Sequence, residues 1–193
     1  MVRGILLIVS ITLLYGCAAA PMVLGVGAAA GGAMVAGDRR TAGMMMDDER
    51  IELKTMNIIA ADTILRDSSH INATSYNGQL LLTGEIPDEI SSKALVARVK
   101  KIERVTVVKN EMLVGPVSDS ASRTQDSAIT ARIKSRLISQ LESGLGQDIK
   151  VVTERRSVYL MGLLTKAEAE QAIAIARTVD GVQRIVKVFE YQE

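Results

Sequence analysis

One pattern of apolar residues occurs twice in this chain, about 78 residues apart. Residues 71–75 and 80–84 form two short runs with the composition of β-strands, and both runs return at residues 149–153 and 158–162. The match extends in both directions, over residues 48–115 and 126–191. Self-similarity at a fixed spacing indicates repeated structural units. The sequence therefore predicts two copies of one fold in tandem.

Each copy predicts the same order of elements: a helix, two strands, a second helix and a last strand. The first helix is expected to begin behind an aspartate that caps it, Asp48 or Asp126, and an apolar stripe follows at helical spacing. The two β-rich runs indicate strands, and residues 76–78 of the first copy have the composition of a hairpin turn. The second helix is expected to start after Pro87 or Thr165.

The order αββαβ requires a crossover between the second and third strands, so the sheet is mixed. We expect an α+β fold in which each unit is a three-stranded mixed sheet with two helices packed on one face. Gly84 and Gly162 are expected to end the hairpin where the chain turns into the helix, a backbone role. The units are assigned to residues 47–115 and 124–193, and the polar residues 116–123 predict a hinge. Whether the units pack together or swing about this hinge stays open.

The N-terminal residues have the pattern of an export signal. Arg3 precedes about ten apolar residues, the length of a signal-peptide core rather than of a membrane span. The only cysteine, Cys17, lies directly behind this run, with a leucine three residues before it and a glycine next to it. This arrangement resembles the bacterial lipobox, which implies a signal peptide over residues 1–16 and a mature chain that begins at an acylated Cys17. The alternative is an ordinary buried cysteine.

The segment behind the cysteine is low in complexity. Residues 18–43 are almost entirely Ala, Gly, Val and Met, which favours a flexible tether over residues 17–46. The spacing of Gly27 and Gly31 leaves a second interpretation open, a segment that lies on or inserts into the bilayer. By the sorting rule of bacterial lipoproteins, Ala18 in place of an aspartate implies the outer membrane, at its periplasmic face.

Charge and motifs exclude several classes of function. The chain has 23 basic and 22 acidic residues, a formal net charge of +1, so no overall basic field attracts nucleic acid. The only histidine, His70, stands in a loop-like stretch before a strand, and a zinc site would need further ligands. The sequence also lacks a P-loop, a GxSxG run and a dinucleotide-binding fingerprint in its required context. We expect a non-enzymatic protein without metal, cofactor or small-molecule substrate.

The twin units resemble a known family. The αββαβ order, the glycines Gly84 and Gly162, and a run that begins at Gly181 before the last strand are similar to BON domains. Two such domains behind a lipobox resemble the dual-BON outer-membrane lipoproteins. The first copy departs at Arg104, where the family has a glycine, so its last turn is expected to be tighter or shifted. The resemblance implies an envelope protein that binds anionic phospholipid and supports outer-membrane integrity, including at division sites.

The first helix of the second copy carries an excess of positive charge. Residues 123–141 hold four basic side chains against Asp126 alone, whereas residues 50–66 hold three basic and two acidic ones. Side chains four residues apart share a helix face, and a basic face attracts an anionic bilayer by about 1 kcal/mol per residue. An ordinary solvated helix face would have the same pattern, and the family resemblance favours lipid. The predicted phospholipid-binding residues are Arg123, Ala128, Arg132, Lys134 and Arg136.

Three hypotheses of different classes remain. In the first, the second unit of a lipid-anchored envelope protein docks on anionic phospholipid, and the binding is sensitive to salt. In the second, strand edges or the face between the units recruit an envelope assembly or division protein, so changes at Thr106 or Lys187 matter. In the third, the protein is purely structural or acts on membranes through its Ala/Gly tract.

Overall fold

The structure, a computed structural model, describes residues 38–192. The first domain contains α1 (Ala42–Ala61), α2 (Thr63–Ser68), β1 (His70–Tyr76), β2 (Gln79–Ile86), α3 (Glu89–Val99), β3 (Val107–Asn110) and β4 (Leu113–Val114). The second contains α4 (Ser120–Gln140), a 3₁₀ turn at Glu142–Gly144, α5 (Leu145–Asp148), β5 (Lys150–Glu154), β6 (Ser157–Leu164), α6 (Lys166–Arg177) and β7 (Arg184–Tyr191). The predicted repeat of helix, two strands, helix and strand is confirmed.

Both sheets are mixed, as predicted. β1 and β5 pair antiparallel with β2 and β6, and the last strand of each domain pairs parallel with the same central strand. The first sheet has four strands rather than the predicted three, because its last strand is interrupted between Asn110 and Leu113. The interruption lies beside Gly84, whose φ of +101° departs from regular strand geometry. In the second domain, where Gly162 is the equivalent of Gly84, the pairing between β6 and β7 is continuous.

The first helix of each domain begins earlier than predicted. Thr41 caps α1, with its Oγ1 accepting from the N–H of Met44 at 3.2 Å, and Asp119 caps α4. Asp48 and Asp126, which were expected to be the caps, lie buried about two turns inside their helices. As a result, α1 takes up residues 42–46 of the predicted tether, and α4 takes up residues 120–123 of the predicted hinge.

Helices cover one face of each sheet. In the first domain, Leu80 and Leu82 of β2 pack with Ile51 of α1 and Leu95 of α3. The corresponding core of the second domain includes Ile129, Ile133, Leu137, Val158, Leu160, Leu164, Ile173 and Ala176. The stripe that the sequence predicted on the first helix of the second copy is therefore buried.

The other faces of the two sheets pack against each other. Tyr76 and Leu81 of the first domain form one apolar cluster with Tyr159, Met161 and Val188 of the second, and none of the five is more than 5% exposed. A central strand buried on both faces carries a continuous apolar run, as β2 does at residues 80–82 and β6 at residues 158–161. Residues 38–192 thus form two helix-covered sheets joined face to face.

Candidate functional site

Helix α4 holds the predicted binding residues on a well-anchored frame. Asp126, Ile129, Ile133 and Leu137 are buried against the second sheet. The opposite side of the helix is exposed and uncharged, and we call it the α4 crest. The crest consists of Thr124, Ser127, Ala131, Ser135 and Ile138.

Arg132 and Arg136 lie on one flank of the α4 crest, over the turn that joins α6 to β7. Nη1 of Arg132 donates to the carbonyl oxygen of Asp180 at 3.4 Å, and Nη1 of Arg136 donates to the carbonyl oxygen of Thr178 at 2.8 Å. Ala128 lies one turn earlier on the same flank and is partly exposed. Backbone carbonyls orient both guanidinium groups without neutralising their charge.

Arg123 and Lys134 lie on the other flank. Arg132 and Lys134 are two residues apart and therefore point about 160° apart around the helix. Arg123 and Lys134 line a cleft of about 610 Å³ between the two domains, with Asn72 of β1 on the opposite wall. The five predicted residues therefore lie on two flanks. The four-residue spacing had predicted the flank of Ala128, Arg132 and Arg136, but not the separate flank of Arg123 and Lys134.

The basic side chains of α4 form no ion pair with any carboxylate that the structure describes. Among residues 38–192, no carboxylate lies within 4 Å of its four basic side chains. In the first domain, by contrast, Arg98 pairs with Asp62 at 2.9 Å and Arg40 pairs with Asp48 at 2.9 Å. The surface of α4 therefore presents net positive charge to an incoming ligand.

Two buried carboxylates lie at the domain interface near the cleft. Glu154, which lines the cleft, accepts a hydrogen bond from the side-chain amide of Asn72, and burial raises the pKa of Glu154 to about 7. Glu85 lies close enough to raise that pKa further. The hydroxyl of Ser118 donates to Oε2 of Glu85 at 3.2 Å, while Oε1 has no hydrogen-bond partner among the described residues. Burial thus disfavours the negative charge of Glu154 in this region.

The only histidine also lines the cleft. His70 is the first residue of β1, so the expectation of a loop residue is wrong. It is partly buried and makes no hydrogen bond through its ring to any described residue. Sequence analysis did not find this position, because the other wall of the cleft comes from a helix about 50 residues further along the chain.

The segment before α1, residues 38–40, forms side-chain contacts with both domains. Arg39 donates two hydrogen bonds to Glu168 of α6, at 2.7 and 2.6 Å, and this contact lowers the pKa of Glu168 to about 2. Arg40 bonds to Asp48 and lies 3.9 Å from the centre of the Tyr76 ring. Both arginines were expected to lie in a flexible tether, because nothing next to them in the sequence indicates that they bond to residues of the folded domains.

The predicted structural glycines differ in what their backbones require. A Cβ on Gly84 would lie 1.9 Å from a carbonyl oxygen of β1, so only glycine fits. Gly181 has a φ of +97°, and Arg104 at the equivalent place has a φ of +71°, so that turn is neither tighter nor shifted. Gly162 lacks a left-handed φ, and its nearest neighbour would be the Leu164 side chain at 3.3 Å. Both Gly84 and Gly162 lie inside strands, so the expectation that they end the hairpin is wrong.

The duplicated fold agrees with a comparison against protein families. The family model described as "BON domain" matches residues 47–116 and 125–193. The chain belongs to the BON-domain family.

Three similar proteins align with most of this chain. The chain is 38% identical to the "Outer membrane lipoprotein DolP" of Haemophilus influenzae, over 92% of this chain and 90% of the relative. It is 35% identical to the "21 kDa hemolysin" of Actinobacillus pleuropneumoniae, over 80% of this chain and 79% of the relative. It is also 25% identical to the "Osmotically-inducible protein Y" of Escherichia coli, over 74% and 72%.

The predicted anchor of this BON-domain protein, Cys17, lies outside the described residues, as do the signal peptide and most of the tether. Within residues 38–192, none of the helices is long and apolar enough to cross a membrane.

Proposed function

We propose that this BON-domain protein is a lipid-anchored protein of the outer membrane, on its periplasmic face. Its second BON domain binds anionic phospholipid through α4 and thereby supports outer-membrane integrity. The observation that carries the proposal is an uncharged α4 crest with basic side chains on both flanks that form no ion pair with any described carboxylate. The similarity to an outer-membrane lipoprotein and the lipobox-like run that ends at Cys17 support the location.

The shape of α4 suits contact with a bilayer surface. The small side chains of the crest allow the helix to approach the headgroups closely, and Ile138, which is 53% exposed, adds one apolar contact. Arg132 and Arg136 reach phosphates from one side and Lys134 from the other. At about 1 kcal/mol for each basic side chain, the attraction amounts to a few kcal/mol. Such an attraction is weak alone, but an acyl anchor at Cys17 would make the contact intramolecular.

Vesicle co-flotation tests the proposal. A fragment of residues 32–193 contains all the described cores and leaves out Cys17. We expect this fragment to float with anionic vesicles at low salt, less at moderate salt, and not with zwitterionic vesicles. The triple variant Arg132→Glu, Lys134→Glu and Arg136→Glu is expected to remain in the bottom fraction.

A matched variant controls for net charge. Lys54, Lys100 and Lys101 are exposed on the first domain, and their change to Glu alters the charge by the same amount. We expect this variant to float like the unmodified fragment. If both variants lost flotation equally, overall charge rather than α4 would explain the binding. If the unmodified fragment did not float at either salt concentration, lipid binding through α4 would be refuted.

One observation favours a second candidate function, a scaffold that recruits an envelope assembly or division protein. The outer edge of β3 and β4 is unpaired among the described residues, and Val107, Leu113 and Val114 on it are 42%, 46% and 53% exposed. An extended segment of a partner adds readily to such an edge. Thr106 directly precedes this edge, whereas Lys187 pairs with Glu170 on the second domain. In this case, crosslinks from Val114 would reach a partner, and the α4 variants would behave like the unmodified protein.

A further inference from the structure

The cleft between the domains has one wall from each of them. β1 of the first BON domain contributes His70, Asn72 and Thr74, and α4 of the second contributes Arg123 and Lys134. The volume of about 610 Å³ lies within the range of small-molecule sites. Because each domain supplies one wall, the cleft exists only while the two sheets are packed together.

Within residues 38–192, neither Arg123 nor Lys134 has a carboxylate within 4 Å, although Asp126 and Glu154 line the same cleft. Asp126 instead accepts from two backbone N–H groups of the β5–β6 turn, and Glu154 accepts from the amide of Asn72. Nη1 of Arg123 donates to the carbonyl oxygen of Ser118, and Lys134 makes no side-chain hydrogen bond to any residue that the structure describes. Elsewhere at the domain interface charge is compensated, as where Lys150 meets Glu52 at 2.9 Å. Two cations that form no close ion pair within residues 38–192 and share one wall of a concave site favour an anion there.

Two further groups suit the oxygens of a phosphate. Thr74 and His70 line the same cleft, and neither side chain has a hydrogen-bond partner within residues 38–192. Phosphate oxygens accept strong hydrogen bonds from charged and hydroxyl donors. We propose that the cleft is a composite binding site for a phosphate group, held by Arg123 and Lys134 of the second BON domain and by His70 of the first.

This site goes beyond the proposed contact between α4 and a bilayer. It requires packed domains and a group small enough to enter the cleft, whereas Arg132 and Arg136 face away from it on the other flank of α4. The phosphate could belong to a lipid headgroup or to a free phosphate ester, and the two sources share the same recognition chemistry.

Glu154 makes the site sensitive to pH. Its carboxylate repels phosphate when ionised, and its protonated form does not. The groups that face Glu154 are Asn72 of β1, Glu85 of β2, and Asp126 and Arg123 of α4. Because burial raises the pKa of Glu154 to about 7, Glu154→Gln is expected to bind phosphate more tightly than the unmodified protein at pH 8, where the ligand has the same charge in both.

The single histidine makes the test direct, because its ring signals in NMR report on the cleft alone. Inorganic phosphate and glycerol phosphate are titrated into residues 32–193 at pH 6 and pH 8, against chloride at equal ionic strength. A separate arm uses micelles of a short-chain anionic phospholipid. We expect a saturable shift of the His70 signals, and about tenfold or more weaker binding in the variant Arg123→Gln with Lys134→Gln.

The matched control is Arg132→Gln with Arg136→Gln, which removes two charges from the other flank of α4. We expect it to keep the His70 shift and to lose vesicle flotation. A shift with both soluble compounds supports a free phosphate ester, and a shift with micelles alone supports a headgroup. If no phosphate compound moves the His70 signals, or if the Arg123 and Lys134 variant binds like the unmodified protein, the site is refuted. Flotation that still depends on Arg132 and Arg136 would leave the bilayer proposal intact.

Discussion

Asp126 makes in the second BON domain the contact that Asp48 makes in the first. Each buried carboxylate accepts two consecutive backbone N–H groups from the strand turn of its own domain, at 2.8 and 2.9 Å in both cases. The turn residues that donate these bonds all have positive φ; they are Asn77, Gly78, Arg155 and Arg156. A left-handed pair in a two-residue turn is typical of tight hairpins. The first helix of each domain is thereby bonded to its hairpin.

Removing the two aspartates is expected to have unequal effects. Asp48 also accepts from the hydroxyl of Ser75 at 2.7 Å and pairs with Arg40, which is 5% exposed. Asp48→Ala leaves the two turn N–H groups, the Ser75 hydroxyl and one N–H of the buried Arg40 unpaired, while Arg40 keeps its ion pair with Asp38 at 2.7 Å. We therefore expect a loss of about 3 kcal/mol or more in the free energy of unfolding. Asp126→Ala leaves only two turn N–H groups unpaired, and we expect a loss of about 1–3 kcal/mol. Urea unfolding of both variants measures the difference, and equal losses would contradict the role of Arg40.

The same aspartates show what sequence analysis can and cannot find. Their matched positions revealed the repeat, but helical periodicity does not show which N–H groups a carboxylate meets. Thr41 and Asp119, seven residues earlier, are equally capable of capping a helix, and they do so. The sequence predicted the order of elements and the charge of α4 correctly. It could not predict the cleft, because the position of β1 beside α4 depends on how the two sheets pack.

Gly84 and Gly162 are expected to respond differently to the same added methyl group. Gly84→Ala places Cβ against a backbone carbonyl in a left-handed conformation, so we expect a loss of at least about 3 kcal/mol or failure to fold. Gly162→Ala meets the branch of the buried Leu164 side chain at 3.3 Å rather than backbone, so we expect a smaller loss of about 1–2 kcal/mol. Thermal unfolding of both variants compares them. A stable Gly84→Ala protein would contradict the close approach of β1.

Arg104 and Gly181 allow the left-handed turn to be tested in both domains. Arg104 adopts a φ of +71° at some conformational cost, so Arg104→Gly is expected to be neutral or to stabilise by up to about 1 kcal/mol. Gly181→Ala adds the same strain and brings Cβ within 3.0 Å of Ile129, so we expect a loss of about 1–2 kcal/mol. Chemical denaturation gives both values. A large loss in Arg104→Gly would show that the arginine side chain itself stabilises the turn.

Glu154 and Glu168 are expected to make stability depend on pH in opposite directions. The pKa of Glu154 rises from 4.5 to about 7 on folding because of burial. Its contribution is therefore fully present below pH 4.5 and is lost as the pH rises through about 7. The pKa of Glu168 falls to about 2 beside Arg39, so its contribution is present above pH 4.5 and is lost as the pH falls toward 2.

Glutamine variants separate the two effects. Glu154→Gln resembles the protonated acid, so we expect it to be more stable than the unmodified protein at pH 8 and similar to it at pH 4. Glu168→Gln is expected to be less stable at pH 7 and similar at pH 2. Urea midpoints across this range provide the measurement. A Glu154→Gln protein that gains no stability at pH 8 would show that the ionised carboxylate is accommodated at the interface.

Met161 and its neighbour Leu160 distinguish packing between the domains from packing within one. Met161 is fully buried in the cluster shared by the two sheets, while Leu160 is fully buried in the core beneath α4 and α6. Met161→Glu places a charge between the sheets, so we expect both domains to stay folded and to separate about the segment 115–119. Leu160→Glu is expected to unfold the second domain. Small-angle scattering and NMR relaxation distinguish these results, since separated domains give a larger radius and tumble faster. If Met161→Glu remained docked, the shared cluster would not be what holds the domains together.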